Sequence, residues 1–237
     1  MLVMHEIPES DVAAPRSQAS SAYDIIRAGI LSGRHEPGKK LKIQDLANEL
    51  LVSPGAIREA LSRMVPEQLV ISRDQRGFVV APLSVADLED LTELRCEIEG
   101  LALRRSVAGG DVAWEADILA AAHRLRALRV NARRSSSAET EDLIREWGRA
   151  HAAFHNALIK ACGSRRLLAL HAQLYEQSER YRVQSFFVES TRDVDTEHQK
   201  IVGLALKRDA EGLVGAMSAH IRETTRLIIE HAHREAA

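Results

Sequence analysis

Hydrophobic positions change their pattern near residue 82 of the 237-residue chain. Before this point, short apolar stripes at helical spacing alternate with turns, and all six prolines lie at or before Pro82. After it, apolar residues keep a helical period through long segments rich in Ala, Leu, Arg and Glu. Residues of these types favour helix, whereas proline interrupts it. We therefore expect a mainly α protein with two domains, 20–82 and 83–237.

The pattern of the first domain is typical of a helix-turn-helix followed by a hairpin. A Ser pair, Ser20 and Ser21, can cap a first helix that ends at Gly33. Two more short helices flank a turn, after which Ser53 is a suitable N-cap and Pro54 a suitable first helical residue. Two strands are predicted next, at Leu69–Ser72 and Phe78–Ala81. This order predicts a winged helix-turn-helix, although a generic three-helix core gives a similar pattern.

Beyond residue 82 the helical stripes predict an antiparallel all-α bundle. Ser84 and Asp87 resemble a capping box at the start of a long helix that ends near Val107. The apolar positions that predict this helix are Leu88, Leu91, Leu94, Ile98, Leu101 and Leu103. Further helices are predicted at about 111–133, 139–162, 164–188, 192–208 and 210–234.

Composition narrows the functional classes. A formal net charge of −2 and a hydrophobic content of 45% are typical of a soluble globular protein. No apolar run approaches the roughly 18 residues of a membrane span. Residues 1–19, which we expect to form a flexible arm, lack the basic start and apolar centre of a signal peptide. We therefore expect a cytoplasmic protein without a membrane partner, in which Cys96 and Cys162 are buried free thiols.

Several motifs of the first domain stand at a characteristic spacing. They are G…PG…L at Gly33, Pro37, Gly38 and Leu41, LA…L at Leu46, Ala47 and Leu50, VS…REAL at 52–61, and RGFVV at 76–80. Together they resemble the DNA-binding domain of the GntR family of bacterial transcription regulators. The resemblance implies a homodimer that binds double-stranded DNA at a palindromic operator.

The chain departs from the family's pattern at the start of the recognition helix. Family members commonly have Ser-Arg-Thr-Pro-Val there, whereas this chain has "SPGAI" and lacks an arginine that often contacts DNA. Arg58 lies one turn later, where an arginine can bind guanine or a phosphate. We therefore expect Arg58 to dominate base recognition. The other expected DNA contacts are Gln44, Ser53, Gly55, Arg76 and Gly77.

Four histidines fall on the inward faces of three predicted helices in the second domain. His151 and His155 are four residues apart on one helix, and His198 and His220 lie on the last two. A single inward histidine is usually a hydrogen-bonded core residue, but several buried imidazoles without partners would cost about 1–3 kcal/mol each. A shared divalent metal would satisfy all four. Nitrogen donors predict zinc first, with nickel, cobalt or copper as alternatives.

The same histidines occur in recognisable motifs. These are His151-Ala-Ala-Phe154-His155, Glu197-His198 and Met217-Ser-Ala-His220. The second domain thereby resembles the FCD effector domain of the FadR-type branch of the GntR family, in which one class binds a divalent metal through an Asp and three His. The resemblance implies that His155, His198 and His220 are ligands. His151 stands where that class has Asp, and its role as a ligand is left open.

The resemblance also points to an effector. Arg95 matches a position at which an arginine often meets an effector carboxylate, but an exposed ion pair with Glu99 explains it equally well. The leading interpretation is a non-enzymatic transcription regulator, with repression as the first choice, whose operator binding responds to a small organic acid at the metal. A metal-sensing regulator is one alternative. A metallohydrolase is another, although no general base stands out beside the histidines.

Overall fold

The computed structural model describes residues 17–73, 77–132, 140–185 and 192–235. The chain forms two compact units, which divide between Pro82 and Leu83. The first unit contains α1 (Gln18–Leu31), β1 (Lys40–Leu41), α2 (Ile43–Leu50), α3 (Pro54–Met64), β2 (Val70–Arg73) and β3 (Gly77–Val80). The second contains α4 (Val85–Gly109), α5 (Val112–Ala132), α6 (Thr140–Ile159), α7 (Arg165–Ser185), α8 (Val194–Leu206) and α9 (Ala210–Glu235).

The first unit is a winged helix-turn-helix, as the pattern predicts. Helices α2 and α3 form the helix-turn-helix, and α1 packs against α3. The antiparallel sheet has the order β1-β3-β2, with Lys40 opposite Val79 and Leu41 opposite Phe78. Strand β1 was not predicted, because two residues are too short to show an alternating pattern. Ile26, Ile57, Leu61 and Met64 are among the core residues.

Capping decides where these helices begin. The Ser53 hydroxyl accepts a hydrogen bond from the Ala56 N–H at 3.2 Å, and Pro54 follows as the first helical residue, so this predicted cap is confirmed. The predicted cap of α1 is wrong. Ser17, in extended conformation, accepts from the Ser20 N–H at 3.1 Å, and the Ser pair lies inside the helix. A cap must precede the first turn, so a polar pair one turn later cannot supply it.

The second unit is an all-helical bundle, and its helices agree with the predicted ones apart from small shifts at their ends. Its largest apolar cluster includes Trp114, Trp147, Phe154 and Ile201. Cys96 and Cys162 are buried free thiols, as expected. Within the described ranges, no helix combines the length and the apolar character needed to cross a membrane.

The buried face of α4 includes charged residues as well as apolar ones. Leu94 and Leu101 are 47% and 46% exposed, whereas Arg95 and Glu99 are buried. Leu88, Leu91, Ala102 and Ser106 complete the buried stripe. The buried positions keep helical spacing, but the stripe includes charged residues. The apolar residues of α4 therefore do not by themselves define its buried side.

The turn between α2 and α3 provides a test of the fold. Leu51 ends α2 in the left-handed region, with φ 55°, and its side chain is exposed. Because this conformation is strained for a residue with a Cβ, Leu51→Gly should raise the free energy of unfolding by roughly 0.5–1 kcal/mol. Chemical denaturation followed by far-UV circular dichroism would measure this. Glu59→Gly, at an exposed position inside α3, should instead lower the free energy of unfolding. Equal effects of the two changes would contradict the backbone strain assigned to Leu51.

Candidate metal centre and DNA-binding surface

The start of α3 presents three of the predicted DNA contacts on one short segment. Arg58 is exposed and makes no hydrogen bond or ion pair with any described residue. A Cβ at Gly55 would come no nearer than 3.9 Å to the Ser53 hydroxyl, so this end of the helix is open. An exposed helix N-terminus next to an unpaired arginine suits an anion such as a DNA phosphate.

The other predicted contacts lie elsewhere in the first unit. Gln44 is exposed on α2 and donates from Nε2 to Asn48 Oδ1 at 3.2 Å. Gly77 begins β3 with φ 84°, a conformation that favours glycine. Arg76 lies outside the described residues. Arg73, at the end of β2, was missed by the sequence analysis; it is exposed and has no ion pair with a described residue.

Other cations of this unit are engaged within it. The Arg63 guanidinium lies 4.3 Å from the centre of the Tyr23 ring, and Arg27 forms an ion pair with Glu67 at 2.9 Å. Intramolecular partners reduce the availability of these groups for phosphate. Arg58 differs from them by being both exposed and unpaired within the described part of the unit, which favours it as a DNA contact.

The four predicted histidines come together inside the second unit. His151 and His155 extend from α6, His198 from α8 and His220 from α9, and all four are buried. One ring nitrogen of each can be chosen so that the four atoms lie within 4.8 Å of one another. The ring centres of His198 and His220 are 4.9 Å apart, and those of His151 and His155 are 4.6 Å apart. This arrangement could hold a metal ion.

His155 is oriented by a buried carboxylate from α4. Its Nδ1 lies 2.8 Å from Oε1 of Glu99, and neither side chain has exposed surface. Burial would raise the pKa of Glu99, but His155 and Arg95 hold it well below its usual value. The ionised carboxylate can only accept, so His155 carries its proton on Nδ1. Its Nε2 then offers a lone pair and has no hydrogen-bond partner among the described residues, as a metal ligand requires.

His220 has a comparable arrangement. Its Nδ1 lies 2.8 Å from Oε2 of Glu197 and 3.2 Å from a guanidinium nitrogen of Arg192. An arginine only donates, so the carboxylate determines the tautomer, and the proton lies on Nδ1. Burial lowers the pKa of His220 to about 4. Burial opposes ionisation of Glu197, but hydrogen bonds from His220 and Arg192 lower its pKa to about 2.

His151 is held by neutral groups. Its Nδ1 lies 2.8 Å from the Tyr175 hydroxyl, and its ring stacks on Trp147 at 4.9 Å between centres. Burial, with the nearby charges of His155 and Arg182, holds its pKa well below the usual value. The imidazole is therefore neutral, and one nitrogen can bind a metal. The hydroxyl partner is uncharged, unlike the carboxylates beside His155 and His220.

Arg95 does form an ion pair with Glu99, but the pair is buried and the expectation of an exposed one is wrong. Arg95 Nε donates to Glu99 at 3.3 Å, and a terminal nitrogen donates to the Ser178 hydroxyl at 2.7 Å. A cavity of about 30 Å³ is bordered by Arg95 and His220. This volume has room for one or two water molecules. An organic acid could enter only if neighbouring side chains moved.

Three residues of this centre had not been recognised as its parts. They are Glu99, Tyr175 and Arg192. The signal for Glu99 was its position on the helical stripe of Leu88, Leu91 and Arg95. Tyr175 and Arg192 contact the histidines only through the packing of separate helices, which local sequence spacing does not reveal.

The two units and the family matches that follow define the class of the protein: a DNA-binding transcription regulator with an N-terminal winged helix and a C-terminal helical domain. Residues 18–80 match bacterial regulatory proteins of the gntR family, and residues 90–223 match the FCD domain. The chain belongs to the GntR family of transcription regulators and, by its FCD domain, to the FadR-type branch. This family membership confirms the predicted resemblance.

Two relatives in bacteria share most of the chain. The HTH-type transcriptional regulator BphR of Paraburkholderia xenovorans strain LB400 is 37% identical over 92% of this chain and 87% of its own. The HTH-type transcriptional repressor GlaR of Escherichia coli strain K12 is 32% identical over 84% of this chain and 90% of its own. The solved structure of E. coli McbR/YncC, 16% identical, superposes with a TM-score of 0.73 over 92% of this chain and all of that one. The last likeness concerns the fold alone.

The exposed position of Arg58 on α3 leads to a prediction about sequence-specific DNA binding. Arg58→Ala should weaken binding to a selected DNA site by about 1–3 kcal/mol and relax its sequence preference. Fluorescence anisotropy with specific and scrambled duplexes would measure both effects. Arg126→Ala, which removes an exposed arginine of α5, is the matched control and should leave the preference unchanged. An unaltered preference in Arg58→Ala would exclude this residue from base recognition.

The lowered histidine pKa values predict that the metal-free protein loses stability in mild acid. His220 is neutral when folded but takes up a proton near its ordinary pKa of 6.5 when unfolded. The contribution of His220 to the free energy of unfolding is therefore full above pH 6.5 and falls as the pH drops towards the folded-state pKa of about 4. The limiting slope of this loss is about 1.4 kcal/mol per pH unit. His151 and His155, whose pKa values are also lowered, act in the same direction.

Urea unfolding of chelator-treated protein at several pH values would test this. Both tryptophans, Trp114 and Trp147, lie in the second unit, so their fluorescence reports its unfolding. His220→Asn should reduce the slope between pH 6.5 and 4.5, whereas His123→Ala, at an exposed position, should not. A stability that is constant over this interval would contradict the assigned neutral histidines.

Proposed function

We propose that this protein is a homodimeric repressor whose operator binding is modulated by a small carboxylate at a divalent metal. The metal would be held by His151, His155, His198 and His220. The observation that carries this proposal is the convergence of four buried imidazoles from three helices, two of them oriented by carboxylates. Repression agrees with the role of the relative GlaR, a transcriptional repressor.

DNA binding is attributed to the first unit. Arg58 would contact base edges in the major groove, while Ser53 and Gly55 at the N-terminus of α3 would contact a phosphate. Gln44, Arg76 and Gly77 are the additional proposed contacts. Two copies of this unit would bind the half-sites of a palindromic operator, because a two-fold symmetric dimer presents two equivalent recognition helices.

The donor set favours a nitrogen-binding metal and an anionic effector. Four neutral imidazoles suit zinc, nickel, cobalt or copper and leave the full charge of a divalent ion uncompensated by ligands. When bound, the ion would supply a positive centre for a carboxylate. The buried cluster contains no carboxylate ligand, in contrast to the related class that has an Asp where this chain has His151.

The outer hydrogen bonds distinguish His151 from two of the other histidines. His155 and His220 are each held by a carboxylate, whereas His151 is held by the hydroxyl of Tyr175. A charged acceptor forms the stronger hydrogen bond and strengthens the ligand. Four imidazoles also suffice for a tetrahedral zinc site. We therefore assign His151 as the ligand that an anionic effector replaces.

A route from the effector to DNA runs along α4. Arg95 and Glu99 lie on this helix beside the histidines, and the helix begins at Val85, shortly after the boundary between the units at Pro82. An effector that draws Arg95 away from Glu99 alters contacts of the helix that follows this boundary in the chain. Such linkage requires only that the effector bind one arrangement of the dimer more tightly than the other.

A second candidate is a metal-sensing regulator, in which the ion is itself the signal. The specific observation in its favour is the set of four histidines, which can complete a four-coordinate ion without any further ligand. In that case no organic acid is needed. The two candidates differ in which addition changes DNA affinity, so one titration separates them.

Gel-shift titrations with a palindromic duplex selected from random DNA would test the proposal. Metal-loaded and chelator-treated protein would each be titrated with a panel of mono- and dicarboxylates. We expect release of DNA by one class of acid only when metal is retained. Release or gain caused by metal alone would favour the metal sensor, and a response to acids without metal would overturn the role of the ion.

Metal analysis of variants complements this titration. His155→Ala should lose most of the metal, measured by elemental analysis, and the acid response, while DNA binding persists. His123→Ala, an exposed histidine of α5, is the matched control and should behave as the wild type. Full metal content in His155→Ala would exclude His155 as a ligand.

A further inference from the structure

Helix α4 has an outward apolar stripe. Leu94 and Leu101 are 47% and 46% exposed, and they stand seven residues apart on one side of the helix. Neither faces the buried stripe that contains Arg95 and Glu99. Two large apolar side chains at this spacing form the repeat by which one helix packs against another.

Charges of opposite sign stand at the two ends of this stripe. Asp90 lies four residues before Leu94, and Arg105 lies four residues after Leu101. Both are exposed, and neither forms a hydrogen bond or an ion pair with any described residue. By contrast, two α4 charges nearer α9 are already paired across the helices, as Glu93–Arg222 and Arg104–Glu211.

We propose that this stripe docks against the same stripe of a second copy of the chain, with the two α4 helices antiparallel. The proposal deepens the proposed function, since it rests on the homodimer and names its interface. In this register Leu94 of one copy packs against Leu101 of the other, and Asp90 faces Arg105. Each contact occurs twice, because a two-fold axis relates the copies.

The charges select the direction of pairing. In a parallel arrangement Asp90 would face Asp90 and Arg105 would face Arg105, which is repulsive; the antiparallel arrangement makes two attractive pairs instead. Glu97 lies nearer to α9, where it acts electrostatically on Arg104 and Arg222. Its charge is thus offset within one copy, and the centre of the stripe is left to the leucines.

Charge reversal tests the register. Sedimentation equilibrium would give the dimer dissociation constant of the full-length protein. Arg105→Glu and Asp90→Arg should each raise this constant by about tenfold or more. The double variant, which exchanges the two charges, should restore it towards the wild-type value. Absence of any rescue in a double variant that is folded by circular dichroism would overturn the antiparallel register.

Leucine variants test the interface itself. Leu101→Lys should raise the dissociation constant by more than about tenfold, since a charge would be buried at its centre. Leu119→Lys is the matched control, because Leu119 is 50% exposed on α5, away from the stripe. An unchanged constant in Leu101→Lys with a dimeric wild type would overturn the α4 interface but leave the homodimer intact. A monomeric wild type would overturn both, whereas metal content and acid response test the effector site separately.

Discussion

The second unit depends on the compensation of one buried charge, the carboxylate of Glu99. It has no exposed surface, and a carboxylate in that position is tolerated only if charged and hydrogen-bonding partners surround it. Arg95 from the same helix, His155 from α6 and His171 from α7 lie within 3.4 Å. Glu99 therefore connects three helices. Because its ionised carboxylate can only accept a hydrogen bond, the proton of His155 lies on Nδ1. The lone pair of His155 Nε2, directed into the histidine cluster, is a consequence of this constraint.

The same constraint shapes the core of the bundle. Along α4, Leu91 belongs to one apolar cluster and Ala102 to another, and the polar residues Arg95 and Glu99 lie between them. Apolar contacts on either side are non-directional, whereas the polar contacts have defined partners. Hence the two clusters contribute non-directional apolar contacts, whereas the layer between them fixes how α4 is oriented against α6 and α7.

Capping residues and hydrophobic periodicity predicted much of the fold, but they did not predict the polar contacts in the core. The Ser53 cap, the wing strands and the helices of the bundle follow from capping chemistry and periodicity, which act over a few residues. Helical spacing also predicted that the four histidines lie on the inward faces of three helices. The apolar periodicity that predicted α4 did not identify its buried side, because Leu94 and Leu101 are exposed and the buried stripe contains Arg95 and Glu99. Contacts such as that between Tyr175 and His151 join separate helices, and a single sequence does not reveal them.

Helix α4 unites these findings, because its opposite faces serve different purposes. Arg95 faces the histidine centre, while its neighbour Leu94 is exposed on the stripe proposed to meet a second copy. Successive residues of a helix are about 100° apart, so a rotation of α4 that withdraws Arg95 from Ser178 of α7 also turns Leu94 against its partner. The chain leads from the start of α4 directly to the DNA-binding unit. With the proposed effector and interface, α4 as a single rigid helix would thus couple effector binding, the contact with the second copy and DNA binding.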